Sequence, residues 1–301
     1  MPVAARGELP GRVEIHSPWD GPVDTLCRMV WRFTNVLDEF PEAADAWLRR
    51  DPVRNTVALT VLGRMRHGLW SDDRLLGWFT ASGEVRGAVL HTPPYALLLG
   101  DIPDDTVAPL AEALRGREIS GVNGPKRQAE AFAAAWGRVE TSRISLRLYR
   151  LEALRPPSRA GAARVAGEGD VELVVEWMRA FLAEAEPEIA NDDPAPQMKH
   201  RVGQGEIMLL EDGGRPVAMA GFSLPIVGMS RIGPVYTPPE LRARGYGSAV
   251  THGATRAAAQ AGAELLLLFT DLANPTSNSI YQALGYQPVT DYAAIALAAT
   301  K

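Results

Sequence analysis

The run Leu265-Leu266-Leu267-Leu268-Phe269 restricts the fold more than any other feature of the sequence. Five consecutive apolar residues without alternation fit a strand covered on both faces, and a sheet flanked by helices supplies two covers. A suitable helix is expected just before it, from about Gly245 to Ala261, where Val250, Ala254, Ala257, Ala258 and Ala261 form a stripe of mostly small residues that can lie close to a sheet. A second helix, Pro275 to Leu284, follows. The expected class is α/β in the wide α+β sense, with helices over a mixed sheet.

At 301 residues and 46% hydrophobic composition the chain can fill two ordinary cores or one large one. Its clearest punctuation is Arg155-Pro156-Pro157-Ser158-Arg159-Ala160-Gly161-Ala162-Ala163, which is unsuited to a helix or a packed strand. The expected division is therefore 1–154, a linker at 155–163, and 164–301. The second part reads as helix Asp170–Glu184, helix Ala195–Gly203, hairpin strands Glu206–Glu211 and Pro216–Leu224 about Gly213-Gly214, and strand Met229–Tyr236. After the helix, strand and helix already named, Val289–Leu297 supplies final strands. The first part echoes this order: strands Leu75–Thr80, Val85–His91 and Tyr95–Leu99, helix Thr106–Leu114, strand Glu118–Val122, helix Lys126–Trp136, and Ile144–Leu151 within a closing strand that starts at Arg143. The echo suggests a duplication.

A formal charge of -5 gives no basic field for wrapping nucleic acid, so no nucleic-acid partner is expected. The single cysteine, Cys27, cannot form an internal disulfide and reads as a buried small hydrophobe. The five histidines, His16, His67, His91, His200 and His252, show no metal-ligand spacing, and no metal is expected. Neither a signal-like apolar run at the start nor a stretch of membrane-spanning length is present, so the expected setting is cytoplasmic, without a membrane partner.

The stretch Val235-Tyr236-Thr237-Pro238-Pro239-Glu240-Leu241-Arg242-Ala243-Arg244-Gly245-Tyr246-Gly247-Ser248 joins a strand to a helix. A helix N-terminus presents unpaired N–H groups and a partial positive charge, which suit a diphosphate. Gly245 and Gly247 lack a Cβ, and Arg242 and Arg244 bring forked donors. Taken alone, these residues fit a plain strand-to-helix turn with solvated arginines at least as well.

The second cluster is Asn274-Pro275-Thr276-Ser277-Asn278-Ser279-Ile280-Tyr281-Gln282-Ala283-Leu284-Gly285-Tyr286. Asn274 suits an N-cap, Pro275 the first helical position and Gly285 a left-handed helix end. Helical spacing puts Asn274, Asn278 and Tyr281 on one stripe and Ser277, Ile280 and Leu284 on the next. That pattern fits a helix lining a cleft, and it also fits an ordinary surface helix.

Arg242-x-x-Gly245-x-Gly247 resembles the Arg/Gln-x-x-Gly-x-Gly/Ala signature of the GNAT family of N-acetyltransferases. Asn274 followed seven residues later by Tyr281, and then Leu284-Gly285-Tyr286, resembles that family's next motif in the correct order. The resemblance implies two GNAT-like domains, each a mixed, mostly antiparallel sheet flanked by helices, and acetyl-coenzyme A (acetyl-CoA) as cofactor. Val235, Tyr236 and Thr237 would then hold the pantetheine arm through their backbone, and Arg242, Ala243, Arg244, Gly245, Tyr246, Gly247 and Ser248 the pyrophosphate. Asn274 and Asn278 would lie near the pantetheine, with Tyr281 near the sulfur.

The implied reaction is direct attack by a primary amine of a small molecule or peptide on the bound thioester, with Tyr281 as general acid to the departing thiolate. Glu206, Asp271 and the acidic run Glu184, Glu186, Glu188, Asp192 and Asp193 are the carboxylates available as base, and none stands out. A non-catalytic sensor that holds coenzyme A or its acyl form is the alternative from another class. The first part reads Leu-Leu-Gly-Asp-Ile-Pro-Asp-Asp-Thr-Val over residues 98–107, with acids where the arginines would stand. It is expected to be a degenerate copy that supports the fold or closes the acceptor pocket, leaving one active site per chain.

Overall fold

The computed structural model describes residues 29–69, 73–159, 161–185 and 193–299. The readings made for His16, Cys27, Glu186, Glu188 and Asp192 lie outside these residues. The first half contains β1 (Val30–Thr34), α1 (Glu42–Arg50), α2 (Thr56–Arg66), β2 (Leu75–Ala81), β3 (Glu84–His91), β4 (Leu97–Leu99), α3 (Val107–Ala113), β5 (Gly121–Pro125), α4 (Lys126–Trp136) and β6 (Glu140–Leu151). The second contains β7 (Ala162–Val165), α5 (Val171–Ala185), α6 (Ala195–Gly203), β8 (Ile207–Asp212), β9 (Arg215–Phe222), β10 (Met229–Tyr236), α7 (Tyr246–Gln260), β11 (Leu265–Asp271), α8 (Pro275–Ala283) and β12 (Tyr286–Leu297). Apart from short 3-10 turns, the two successions are the same, strand, two helices, three strands, helix, strand, helix, strand.

All twelve strands form one sheet in the order β1-β2-β3-β4-β5-β12-β6-β11-β10-β9-β8-β7. Pairing is antiparallel except at β4/β5 and β10/β11. The order reads the same from either edge if the halves are interchanged, and the two closing strands are exchanged between halves. β6 pairs with β11 of the second half, whereas β12 pairs with β5 of the first. The strand read from Arg143 to Leu151 is thus not the first half's own edge. It lies between β12 and β11, because its buried residues Leu148 and Tyr149 complete cores on opposite faces, with Met229 and Leu267 on one side and Leu266 and Leu268 on the other. Likewise Val289–Leu297 belongs to one long strand that begins at Tyr286 and runs beside β6 from Tyr286↔Leu151 to Leu297↔Glu140.

Helices cover both faces. On one, α3 and α4 pack on Leu97, Leu99, Val122 and Ile295, while α7 and α8 pack on Ala218, Ala220, Leu266 and Leu268. On the other, α1 and α2 bury Leu48, Leu59 and Leu62 against Leu76, Leu90, Leu148 and Leu267, and α5 and α6 bury Val174, Leu182 and Met198 against Leu209 and Met219. The Leu265–Phe269 run therefore alternates between two cores, as a strand with two covers must. Val250, Ala254 and Ala258 form the buried stripe of α7, whereas Ala261 stands exposed at its end.

The Pro/Gly/Ala segment departs from expectation at one end. Ala162 and Ala163 do pack as a strand, paired with Glu211 and Leu210 at the sheet's edge. Small residues are required there, since a Cβ on Gly253 of α7 would come within 2.6 Å of the Ala163 Cβ. The close approach of β7 to α7 thus depends on both residues.

Candidate functional site

The cleft begins where two parallel strands part. β10 pairs with β11 only from Met229↔Leu265 to Ile232↔Leu268. Beyond that point the ladder of β10 to β9 shifts register between Ile232 and Val235 and resumes at Val235↔Ala220 and Tyr236↔Met219. Gly233 at φ 140° and the cis Gly233-Pro234 bond form the kink. β11 meanwhile stays on β6 through Asp271↔Leu146. The β11-facing edge of Val235 and Tyr236 is left without a strand, and backbone donors and acceptors along such an edge seek a partner.

The chain then turns through Pro239–Leu241 into α7. Ala243 (φ 61°) and Gly245 (φ 81°) both take the left-handed conformation, which shapes a concave run of N–H groups before the helix start. The first residues of α7, Tyr246, Gly247 and Ser248, have no preceding turn to receive their N–H groups. Gly245 is required by its φ and by the linker, because an added Cβ would lie 2.9 Å from the Arg159 Cβ. Gly247 differs, since a Cβ there would meet nothing nearer than Thr237 Oγ1 at 3.7 Å and Ile280 Cδ1 at 3.9 Å. A Cβ there would sit at ordinary van der Waals contact, so packing within the protein does not require glycine at 247.

The arginines are occupied. Arg242 donates through Nε to Thr237 O (2.9 Å) and through Nη2 to both oxygens of Glu184 (2.8 and 2.7 Å), above the ring of Tyr236. Arg244 Nη2 donates to Glu240 O at 3.2 Å. The Arg242–Glu184 pair is nearly half exposed on both sides. A pair of that kind is worth about 0–1 kcal/mol, so a doubly charged phosphate group at the turn would displace Glu184. Tyr246 turns its side chain inward. It is buried, Arg159 stacks over its ring, and its hydroxyl donates to Asp212. Only the backbone of Tyr246 faces the turn, and Ser248 is buried as well.

On the opposite wall, Asn274 caps α8 by accepting the Ser277 N–H at 3.0 Å. Asn278 Nδ2 donates to Asp271 O (2.8 Å) and Asn274 O (2.7 Å), and its Oδ1 accepts from Tyr149 at 3.0 Å. Both donors of Asn278 therefore serve the protein and fix the first turn of α8 to the end of β11. Tyr281 is buried between α7, α8 and the sheet, with its ring against Tyr286. Burial pushes its phenol up to about 12, against the opposing effect of a hydrogen bond with Ser277.

Of the carboxylates considered as base, Glu206 is buried and bound to Arg201, whereas Asp271 stands at the open end of β11 with one oxygen on the Ala273 N–H. Asp193 accepts from Arg179 and from the Ala195 N–H, and Glu184 is held by Arg242. Among the described residues no group of three or more His, Cys, Asp or Glu converges as a metal site, and no helix is long and apolar enough to cross a membrane.

The first half has a cleft of about 800 Å³ at the corresponding place, beyond the ends of β4 and β5. Arg54, Lys126, Arg127 and Arg147 line it together with Asp101, Asp104, Glu130 and Asp291, so its charges balance. Arg54 is held by Asp101, Arg127 by Asp104, and Arg147 by both oxygens of Asp291. A diphosphate there would compete with three ion pairs and meet four carboxylates.

Residues 171–286 match the model of the acetyltransferase (GNAT) family. No curated protein matches the sequence. Among solved structures, the chain is similar to a Drosophila melanogaster protein (14% identity, 91% of this chain and 98% of that one, TM-score 0.61). It is also similar to a GCN5-related N-acetyltransferase from Sphaerobacter thermophilus (14% identity, 89% and 94%, TM-score 0.56). A tandem GNAT protein from the clavulanic acid biosynthesis pathway is a third likeness (12% identity, 88% and 98%, TM-score 0.55). At such identities these likenesses establish the fold, and they extend over both halves.

Proposed function

We propose, from the match of residues 171–286 to the model of the GNAT acetyltransferase family, that the chain is an acetyl-CoA-dependent N-acetyltransferase acting on a primary amine of a small molecule or peptide. The observation that carries this reading is the parting of β10 from β11 directly onto the N-terminus of α7. Acetyl-CoA when bound supplies the activated acyl group, so the protein's own part is to bind, orient and polarise.

The open edge at Val235, Tyr236 and Thr237 suits the amide-bearing pantetheine arm, which hydrogen-bonds like an added strand. The N–H groups from Ala243 to Ser248 suit the pyrophosphate, with no Cβ at Gly247 and charge from Arg242 once Glu184 is displaced. Arg244 adds charge at the rim. Asn274 and Asn278 hold the opposite wall in place, and Asn278 acts through structure, since its donors are spent on Asp271 and Asn274. Tyr281 keeps its proton throughout the physiological range, the state required of a donor to a departing thiolate. Direct attack by the amine is preferred because no nucleophile–base pair is found among the described residues of the cleft. The first half, whose matching cleft is charge-balanced, acts as a supporting copy, with the working boundaries at 1–154, 155–163 and 164–301. A cytoplasmic setting fits this reading.

The test is incubation of the full chain with acetyl-CoA and a broad amine panel, following thiol release, beside calorimetric titration with coenzyme A. Turnover with at least one amine is expected. Cofactor binding with silence across the panel would instead favour a non-catalytic sensor, and absence of binding would remove both readings.

A further inference from the structure

Besides the exchanged strands, one stripe of α2 joins the first half to the second. Thr56, Thr60 and Arg64 lie four residues apart and share a helix face. Thr56 Oγ1 donates to Met229 Sδ at 3.0 Å, Thr60 Oγ1 accepts from Arg231 Nη2 at 3.0 Å, and Arg64 Nη2 lies 3.9 Å from Glu206 Oε2. Glu206 is already engaged. Its Oε2 accepts from Arg201 Nε at 3.1 Å and its Oε1 from the Leu224 N–H at 3.1 Å. Arg64 therefore has only a distant share of a carboxylate that Arg201 holds.

Both guanidiniums are largely buried, with side chains 13% and 3% exposed. Among the described residues two cations stand beside one carboxylate, with Tyr95 a further electrostatic neighbour of Arg64, and a largely buried charge whose nearest anion is shared is costly. Burial lowers the Arg64 guanidinium, and burial together with repulsion from Arg64 brings Arg201 down to about 10. A group that completes this cluster would have to be an anion.

The position of the cluster links it to the proposed reaction. Arg201 Nη2 donates to Gly233 O at 3.0 Å and to Phe222 O at 3.1 Å, so it braces the kink at which β10 leaves β11. If the pyrophosphate were held by residues 243–248 and the pantetheine arm by residues 235–237, the acyl end would come to that same kink. An acceptor would approach there, beside Leu224, an exposed large hydrophobic whose N–H donates to Glu206.

We infer that the acceptor carries a carboxylate as well as its amine, an amino acid in the simplest case, and that Arg64 of the first half binds that carboxylate. The inference rests on the acetyl-transfer reading. It gives the first half a part in acceptor selection, since Arg64 stands on α2. Arginine suits the task because its fork meets both carboxylate oxygens.

The experiment compares amino acids with their carboxamides as acceptors, using the full chain and acetyl-CoA. The acids are expected to be favoured in kcat/KM by about thirtyfold or more, the usual size of effect for a desolvated charge partner. Arg64→Gln is expected to abolish this preference by raising KM for the acids far more than for the carboxamides, with coenzyme A still bound. Arg64→Lys, which keeps the charge, is expected to restore part of it and serves if the glutamine variant does not fold. Equal rates for acids and amides, or an equal loss on both in Arg64→Gln, would overturn the inference.

Should no acceptor turn over, N-acetyl amino acids and their amides are titrated against the chain with coenzyme A present, by saturation-transfer NMR. Selective binding of the acids that is lost in Arg64→Gln would uphold the carboxylate site while the transfer reading falls. Absence of any such selectivity would overturn it.

Discussion

Tyr149, on the closing strand of the first half, donates its phenolic hydrogen to Asn278 Oδ1 on α8 of the second at 3.0 Å, and accepts from Gln282 Nε2 at 3.2 Å. The wall of the candidate cleft is thus held by a residue more than a hundred positions away in sequence. Removing that hydroxyl leaves half-buried Asn278 and exposed Gln282 each short of a partner. Tyr149→Phe is expected to cost about 0.5–1.5 kcal/mol, the worth of an ordinary hydrogen bond, and to lower Tm by a few degrees. It is also expected to weaken coenzyme A binding, by loosening the first turn of α8. Thermal melting beside calorimetry checks this, and an unchanged affinity in a destabilised variant would confine Tyr149 to stability.

Exchange of β6 and β12 predicts that the second half does not stand alone. A fragment of residues 164–301 loses β6, which leaves β11 and most of β12 without their partner and exposes Leu266, Leu267 and Leu268 along a new edge. Such an edge invites association. The fragment is expected to aggregate or remain unfolded, and co-expression with 1–163 is expected to recover a soluble complex. A monomeric, cofactor-binding 164–301 fragment would contradict the exchange.

The Arg242–Glu184 pair sets Glu184 against the ligand. Glu184→Gln is expected to tighten coenzyme A binding by up to about fivefold, the range of an exposed ion pair, and more at low salt than at high. Arg242→Glu is expected to weaken it by about tenfold or more, since an attraction becomes a repulsion beside Glu184. Calorimetric titrations at two salt concentrations measure both, and identical affinities in all three proteins would remove Arg242 from the pyrophosphate site.

Tyr281 makes two predictions. As proton donor, it should affect turnover more than binding, so Tyr281→Phe is expected to lower kcat by about a hundredfold, within the usual range for general acid catalysis, with little change in coenzyme A affinity. Its phenol titrates at about 12 in the fold because of burial, against about 10 in the unfolded chain. Between these values the unfolded state has lost a proton that the folded state retains, so stability falls as pH rises from 10 towards 12. Buried Tyr286 and Tyr292 are shifted upward in the same direction and add to the effect. Denaturant titrations across this alkaline window should show the loss, smaller in Tyr281→Phe, and a flat profile would contradict the burial of these phenols.

The acid limb depends on His91, which burial lowers to about 4. The unfolded chain binds its proton first, so stability contributed by neutral His91 is complete above about 6.5 and lost as pH falls towards 4. A variant with His91→Gln is expected to lose less stability over that interval, measured by the same titrations.

The sequence alone determined whatever depends on neighbours along the chain. The Leu265–Phe269 run announced a doubly covered strand, Asn274 and Pro275 announced a helix start, and Lys126–Trp136 showed its helix to the residue. Local chemistry decides such features: apolar periodicity, capping and backbone freedom. Even so, β1, α1 and α2 escaped notice. α1 buries only Ala44 and Leu48, while α2, with the sequence Thr-Val-Ala-Leu-Thr-Val-Leu-Gly, is rich in β-branched residues and is helical because Leu59, Leu62 and Met65 bury against the sheet.

What only the tertiary structure decided depends on pairings between distant segments. Periodicity identified β6 and β12 as strands but carried no sign of which neighbours they would take, since a strand satisfies its hydrogen bonds equally well with any partner that buries its face. The same holds for the cleft. Arg242, Gly245 and Gly247 are legible as a turn, but Glu184 on Arg242, Tyr149 behind Asn278, and Arg64 beside Arg201 and Glu206 are placed by the fold. Charges and hydroxyls act through space, and the distances that decide their energies are set only when the two halves are woven into one sheet.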